Sequence, residues 1–96
     1  MERRRSPRTE IQLACTLTRE KGSPIAALTV DLGPDGMCVK SERPLAEDEL
    51  IAFAIPGRPF DGRARVLRER RYHVYALRFE EIADAQREAL RALATR

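Results

Sequence analysis

Thr29-Val30-Asp31-Leu32-Gly33-Pro34-Asp35-Gly36-Met37 runs from strand-like sequence into a turn and out into strand-like sequence again. Asp bonds to nearby backbone, Gly frees φ and Pro fixes it, so each turn residue contributes differently. On either side, Ile25 to Val30 and Met37 to Ser41 read as strands. Further upstream, Ile11, Leu13, Cys15 and Leu17 alternate with Gln12, Ala14, Thr16 and Thr18, the period of a strand with one buried face. Glu20-Lys21-Gly22-Ser23-Pro24 is the turn between. Downstream, Glu42-Arg43-Pro44 breaks the pattern, Leu45 to Glu49 is a loop, and Leu50 to Ile55 is a strand closed by Pro56-Gly57. Phe60 to Glu69 predicts a long strand with a bulge at Gly62, Arg70-Arg71 a tight turn, and Tyr72 to Phe79 the returning strand, with His73 inside it. Ile82, Ala85, Gln86, Ala89, Leu90 and Leu93 recur at helical spacing and predict a helix from Ile82 to Ala94. Its alanines and the Glu88–Arg91 pair support it.

The resulting order is an extended arm over residues 1–10, six short strands and one helix. Many short strands separated by turn signals predict a barrel or sandwich, with the helix covering one open end or face. A chain of 96 residues fits one domain, so residues 11–96 form that domain behind the arm. Apolar residues make up 43% and charged residues 34%, a globular mix. No apolar run approaches the roughly 18 to 20 residues that span a bilayer, so no membrane insertion is expected. The charged start, Met1-Glu2-Arg3-Arg4-Arg5, leads into no signal segment, and the expected location is cytoplasmic.

Several chemistries are excluded. Cys15 and Cys38 each sit in a strand-like run, without metal or redox spacing, and read as buried small hydrophobes. With a single histidine, His73, no zinc site and no catalytic triad can be assembled. No phosphate-loop or dinucleotide fingerprint is present. The chain is expected not to be an enzyme and to need no cofactor.

Two features point to binding. The first is Arg4-Arg5-Ser6-Pro7-Arg8, preceded by Arg3. In an extended arm, arginines four apart project to the same side, and Pro7 restricts the backbone between them. Two such guanidiniums suit one phosphate and one purine edge. The second is the turn at 31–36, where Asp31 can accept from a guanine N1–H and N2–H₂ edge and Gly33 and Gly36 let backbone approach a ligand. The basic excess is nearly all arginine, with only Lys21 and Lys40 as lysines. Arginine is the cation for forked phosphate contacts and ring stacking.

Taken in this order, the two features resemble the PilZ family. Its signature is RxxxR near the start, then D/N-x-S-x-x-G between two strands of a six-stranded barrel followed by a helix. Arg4 and Arg8 match the first motif, with Arg5 inside it; Asp31 and Gly36 match the ends of the second. Tyr75-Ala76-Leu77-Arg78-Phe79 resembles the family's last strand, and Ala85-Gln86-Arg87-Glu88-Ala89-Leu90 its helix. The resemblance implies a mainly β fold, a six-stranded antiparallel PilZ-type β-barrel with a C-terminal helix and an extended N-terminal arm. It also implies a receptor for the bacterial second messenger cyclic di-GMP, with Arg3, Arg4, Arg5, Arg8, Asp31, Gly33 and Gly36 at the site. In the family the arm folds over the ligand and changes the surface shown to an effector protein, in control of motility or biofilm formation. The residue before RxxxR bears on whether one ligand or a stacked pair binds; here it is Arg3, a cation that favours the pair.

Two positions depart from the family pattern. Gly33 stands where the motif has Ser, and Ala76 where the family often has Gly. They favour an alternative, a degenerate PilZ-like protein-interaction domain that no longer binds nucleotide. A third reading, an RNA- or single-stranded-DNA-binding barrel using Arg63 to Arg71, has only Phe60, Tyr72 and Tyr75 as nearby stacking platforms. No DNA or RNA partner is therefore expected.

Overall fold

The protein is described by a computed structural model, over residues 8–58 and 60–94. Within these residues seven strands and a helix follow in order: β1 (Thr9–Glu10), β2 (Ala14–Thr18), β3 (Ile25–Leu32), β4 (Gly36–Ser41), β5 (Leu50–Ile55), β6 (Phe60–Arg71), β7 (Val74–Glu81) and α1 (Asp84–Ala94). Strands β2 to β7 close into an antiparallel barrel in the order β3-β2-β5-β6-β7-β4, with β4 returning to β3. The short β1 lies outside that ring and pairs with β3 beyond the end of β2. The expected mainly β, six-stranded antiparallel barrel with one C-terminal helix is the observed fold.

Period-two alternation fills the barrel. In β5, Ile51, Phe53 and Ile55 are buried while Ala52 and Ala54 face out. Leu17 from β2, Met37 and Val39 from β4 and Ala64 from β6 meet in the same core. Phe53 stacks on Phe79 with ring centroids 5.1 Å apart. Each such apolar side chain contributes roughly 1.5–3 kcal/mol by leaving water. Helix α1 lays Leu90 into this core, and Ile82, just before the helix, packs against it. Gln86 fixes α1 to the start of β6 through two 3.0 Å bonds, accepting from the Asp61 amide and donating to its carboxylate.

Three segments differ from the sequence expectation, each for a local reason. Ile11 and Leu13 pack against the core, yet residues 11–13 interrupt the strand. The Thr29 hydroxyl occupies the gap: it accepts from the Leu13 amide at 2.8 Å and donates to the Ile11 carbonyl at 2.5 Å. Thr29 is buried, so this hydroxyl replaces backbone partners that would otherwise be unsatisfied. Residues 9 and 10, read as part of the arm, are consequently held as strand against β3. At the other end, Arg70 and Arg71 are not a turn. Strand β6 continues through Arg71, which pairs with Val74, and the hairpin closes at Tyr72-His73 with His73 at φ 60°. His73 thus leaves the strand position predicted for it. Finally, Gly62 keeps its register with Phe53, and the bulge expected there lies across the ladder on β7, where Glu80 is the extra residue between the Arg63–Glu81 and Ala64–Phe79 pairs.

Candidate functional site

The turn at 31–36 is shorter than its sequence suggests, because Asp31 and Leu32 belong to β3. A bulge decides which way Asp31 faces. Thr29 pairs with Val39, Val30 is an extra residue, and Asp31 pairs with Cys38. Ile25, Ala27 and Thr29 are buried in the barrel, so strict alternation would send position 31 inward too. The extra residue reverses the phase, placing Leu32 in the core and Asp31 on the outer face.

Asp31 thereby enters a row across the outside of the barrel. Glu10, Asp31, Cys38, Ala76 and Arg68 are consecutive ladder partners on β1, β3, β4, β7 and β6. Arg8, one residue before β1, turns its guanidinium onto this row. Its Nε donates to Asp31 Oδ1 at 3.0 Å, and Nη2 donates to the same oxygen. The two side chains are about one-fifth exposed, at 22% and 18%. Two of the residues singled out in sequence, 23 positions apart, therefore meet. The zipped β1 is what delivers Arg8 there. Arg3, Arg4 and Arg5 lie outside the described residues.

Cys38 forms the floor beside Asp31, 4% exposed despite its outward position. Burial pushes its thiol pKa up, and the Asp31 carboxylate adds to that rise, while Arg70, Arg8 and Arg71 pull against it. Burial also pushes the Cys15 thiol up to about 11, with a backbone hydrogen bond at Ala54 opposing. Both are free thiols held away from the reactive thiolate form at neutral pH. Among the described residues no cluster of side chains suited to a metal ion is present.

The remaining turn, 33–35, is fixed from two sides. The Gly33 amide donates to the Gly36 carbonyl at 2.9 Å, and the Phe79 amide donates to the Asp35 carbonyl at 2.9 Å. From α1, Arg87 Nη1 donates to the Pro34 carbonyl at 2.7 Å and to Asp35 Oδ1 at 3.2 Å. Nothing local in the sequence marks Arg87, since its partners are 53 and 52 positions away. Arg87→Ala is expected to cost about 1 kcal/mol in urea unfolding. It should also speed hydrogen exchange at the Gly33 and Phe79 amides, leaving β5 and β6 amides unchanged.

Gly36 has a role other than shaping the turn for a ligand. It opens β4 directly against β7, where an added Cβ would stand 2.2 Å from the Leu77 carbonyl oxygen. The glycine is required by strand-to-strand approach beneath the turn, which keeps Asp31 and Cys38 level with Ala76.

A family model described as PilZ domain matches residues 2–96. The fold is similar to that of the Bacillus subtilis inhibitor of motility (MotI/DgrA), with a TM-score of 0.78 at 20% sequence identity. The match covers 99% of this chain and 51% of that one, so the chain spans about half the length of that protein. No curated protein sequence matches it. Among the described residues no helix is long and apolar enough to cross a membrane. A family model covering nearly the whole chain, over a closed six-stranded barrel followed by a single helix, has one consequence: the chain belongs to the PilZ domain family.

Proposed function

We propose that this protein is a cyclic di-GMP receptor that relays the messenger to a partner protein. The observation that carries the reading is the convergence of Arg8 and Asp31 on the outer face of the barrel. A guanine presents both halves of what this pair offers. Its N1–H and N2–H₂ donors suit the Asp31 carboxylate, and its O6 and N7 acceptors suit a guanidinium. In the free protein the two side chains satisfy each other, so ligand entry exchanges one charge-assisted pair for two. Arg4, with Arg5 and Arg3, supplies the remaining cations for the phosphates, and a dianion offsets their mutual repulsion. Gly33 brings backbone close to the ligand and Gly36 keeps the surface beneath it flat. The relay is the movement of the arm as its cations are recruited to the ligand, which alters the surface an effector meets. The fold relative described as an inhibitor of motility makes motility the first process in which to seek that effector.

Calorimetry with cyclic di-GMP tests the reading. Saturable heat at tens of micromolar folded protein is expected, and no heat under those conditions would overturn it. Arg8→Ala should weaken binding more than Arg63→Ala, whose side chain is paired with Glu81.

One observation favours the second reading, a PilZ-like interaction domain without nucleotide. The position of the motif Ser is Gly33, which is buried and has no hydroxyl to offer. Losing one hydrogen bond to a charged group costs roughly 1.5–3 kcal/mol, or about ten- to a hundredfold in affinity. Gly33→Ser is therefore expected to tighten cyclic di-GMP binding by about tenfold or more in the same titration. A partner bound equally well with and without nucleotide would support the second reading instead.

A further inference from the structure

Arg70 and Arg71 are the sequence features that neither motif accounts for. The cations on strands β6 and β7 divide into two groups. Arg63 is paired with Glu81, Arg65 with Glu80, and Arg78 with Glu80. At the far end of β6, Arg68, Arg70 and Arg71 are exposed and have no carboxylate partner among the described residues. Strand register sets the direction in which Arg71 faces, with Arg70 beside it as the extra residue of a bulge. Arg71 pairs with Val74, Val74 with Lys40, and Lys40 with Leu28, the row next to the one holding Asp31, Cys38 and Ala76. Arg71 and Lys40 line a surface groove of about 440 Å³ whose other wall is Glu10, Ile11 and Gln12, the residues that follow Arg8. The electrostatic reach is mutual, since Arg70 and Arg71 act on the Cys38 thiol together with Arg8 and Asp31.

An uncompensated pair of arginines on a hairpin beside a groove has the chemistry to take an anion, and makes no stabilising ion-pair network among the described residues. The ligand that brings anionic groups to this face is the cyclic dinucleotide, so the inference rests on the reading above. We propose that Arg70 and Arg71 form a second, hairpin-borne wall of the ligand site, gripping a phosphate of cyclic di-GMP opposite Arg8. The two walls differ in kind. Arg8 must leave its pair with Asp31 before it turns to a ligand, whereas Arg70 and Arg71 stand on a hairpin held by backbone pairing and by the His73 amide bonded to Glu69 at 2.9 Å. Preorganised cations give up less freedom on binding. They therefore attract the ligand before Arg8 turns to it.

The test is calorimetry of the full chain with cyclic di-GMP for the wild type, the double variant Arg70→Ala/Arg71→Ala, the charge-keeping Arg70→Lys/Arg71→Lys, and Arg63→Ala. The alanine pair is expected to lose at least tenfold in affinity, the lysine pair less, and Arg63→Ala under twofold. Both positions are exposed, so melting temperatures within a few degrees of wild type should accompany these losses. Wild-type binding with the alanine pair unchanged overturns this inference alone. Absence of wild-type binding overturns the receptor reading and this inference together. A loss equal to that of Arg63→Ala also overturns it, because net charge rather than position would then be the cause.

Discussion

Asp31→Ala is expected to lower affinity for cyclic di-GMP at least a hundredfold while leaving the barrel folded. In the proposed site the Asp31 carboxylate is the acceptor of the outer row, to which two guanine donors would be directed. Bonds to a charged group are worth roughly 1.5–3 kcal/mol each, so losing two exceeds a hundredfold. The effect on stability should be much smaller. Without a ligand, Asp31 is bound to Arg8, whose partly exposed side chain can turn to water when its partner is removed. A pair with side chains about one-fifth exposed on a barrel surface contributes on the order of 1 kcal/mol or less. Asp31→Asn keeps the shape but exchanges one acceptor for a donor that faces the guanine donors, and should fall with the alanine variant. The double variant Asp31→Ala/Arg8→Ala should be less than additive, because the two residues share one ligand edge. Titration of these variants together with Arg8→Ala and the wild type decides the matter: an Asp31→Ala affinity within threefold of wild type would remove guanine reading from this residue.

What the sequence disclosed and what it withheld follow from the range of the interactions concerned. The alternation of Ile51, Phe53 and Ile55 is local, and so is the turn chemistry at Gly33 and Pro34; both read correctly as strand and turn. The order of short strands and a terminal apolar stripe narrowed the fold to a barrel or sandwich with a helix, and the PilZ resemblance selected the barrel. The β1 segment was hidden because Thr9 and Glu10 carry no apolar signal, and their pairing depends on a threonine hydroxyl twenty residues downstream, on the order of one strand and turn away. The hairpin end was misplaced because Arg70 and Arg71 look like turn residues in isolation. In the ladder they are extended, and two bulges in β6 blur the alternation that would have shown it. The Asp31 carboxylate was identified from its motif, yet its outward direction depends on the bulge at Val30, which only the pairing of β3 with β4 reveals. Arg87 lay beyond reach for the same reason: its contact with Pro34 exists only after the helix has crossed back to the turn.

Gly36→Ala should be the most destabilising small substitution near the site, at about 3 kcal/mol, and it should damage binding as well. A Cβ at this position would lie 2.2 Å from the Leu77 carbonyl oxygen, closer than any real contact of that kind. The obstacle is backbone, so no side-chain rotation relieves it, and β4 must draw away from β7. Overpacking of this kind costs roughly 1–3 kcal/mol, with the upper end applying where the surroundings cannot yield. In a domain of this size that loss lowers the melting temperature by about 10–20 °C. Gly62→Ala supplies the matched comparison, because its Cβ would meet the Glu81 carbonyl oxygen at the same 2.2 Å. Both variants should melt early. They differ in what moves: Gly36 lies two residues from Cys38, the ladder partner of Asp31, whereas Gly62 pairs with Phe53 on the β5 side of the barrel. Measured well below both melting temperatures, Gly36→Ala is expected to lose cyclic di-GMP affinity by tenfold or more and Gly62→Ala to stay within about threefold. Equal losses of affinity would show that binding follows global stability, and the separation of the two glycines would then have no bearing on the site.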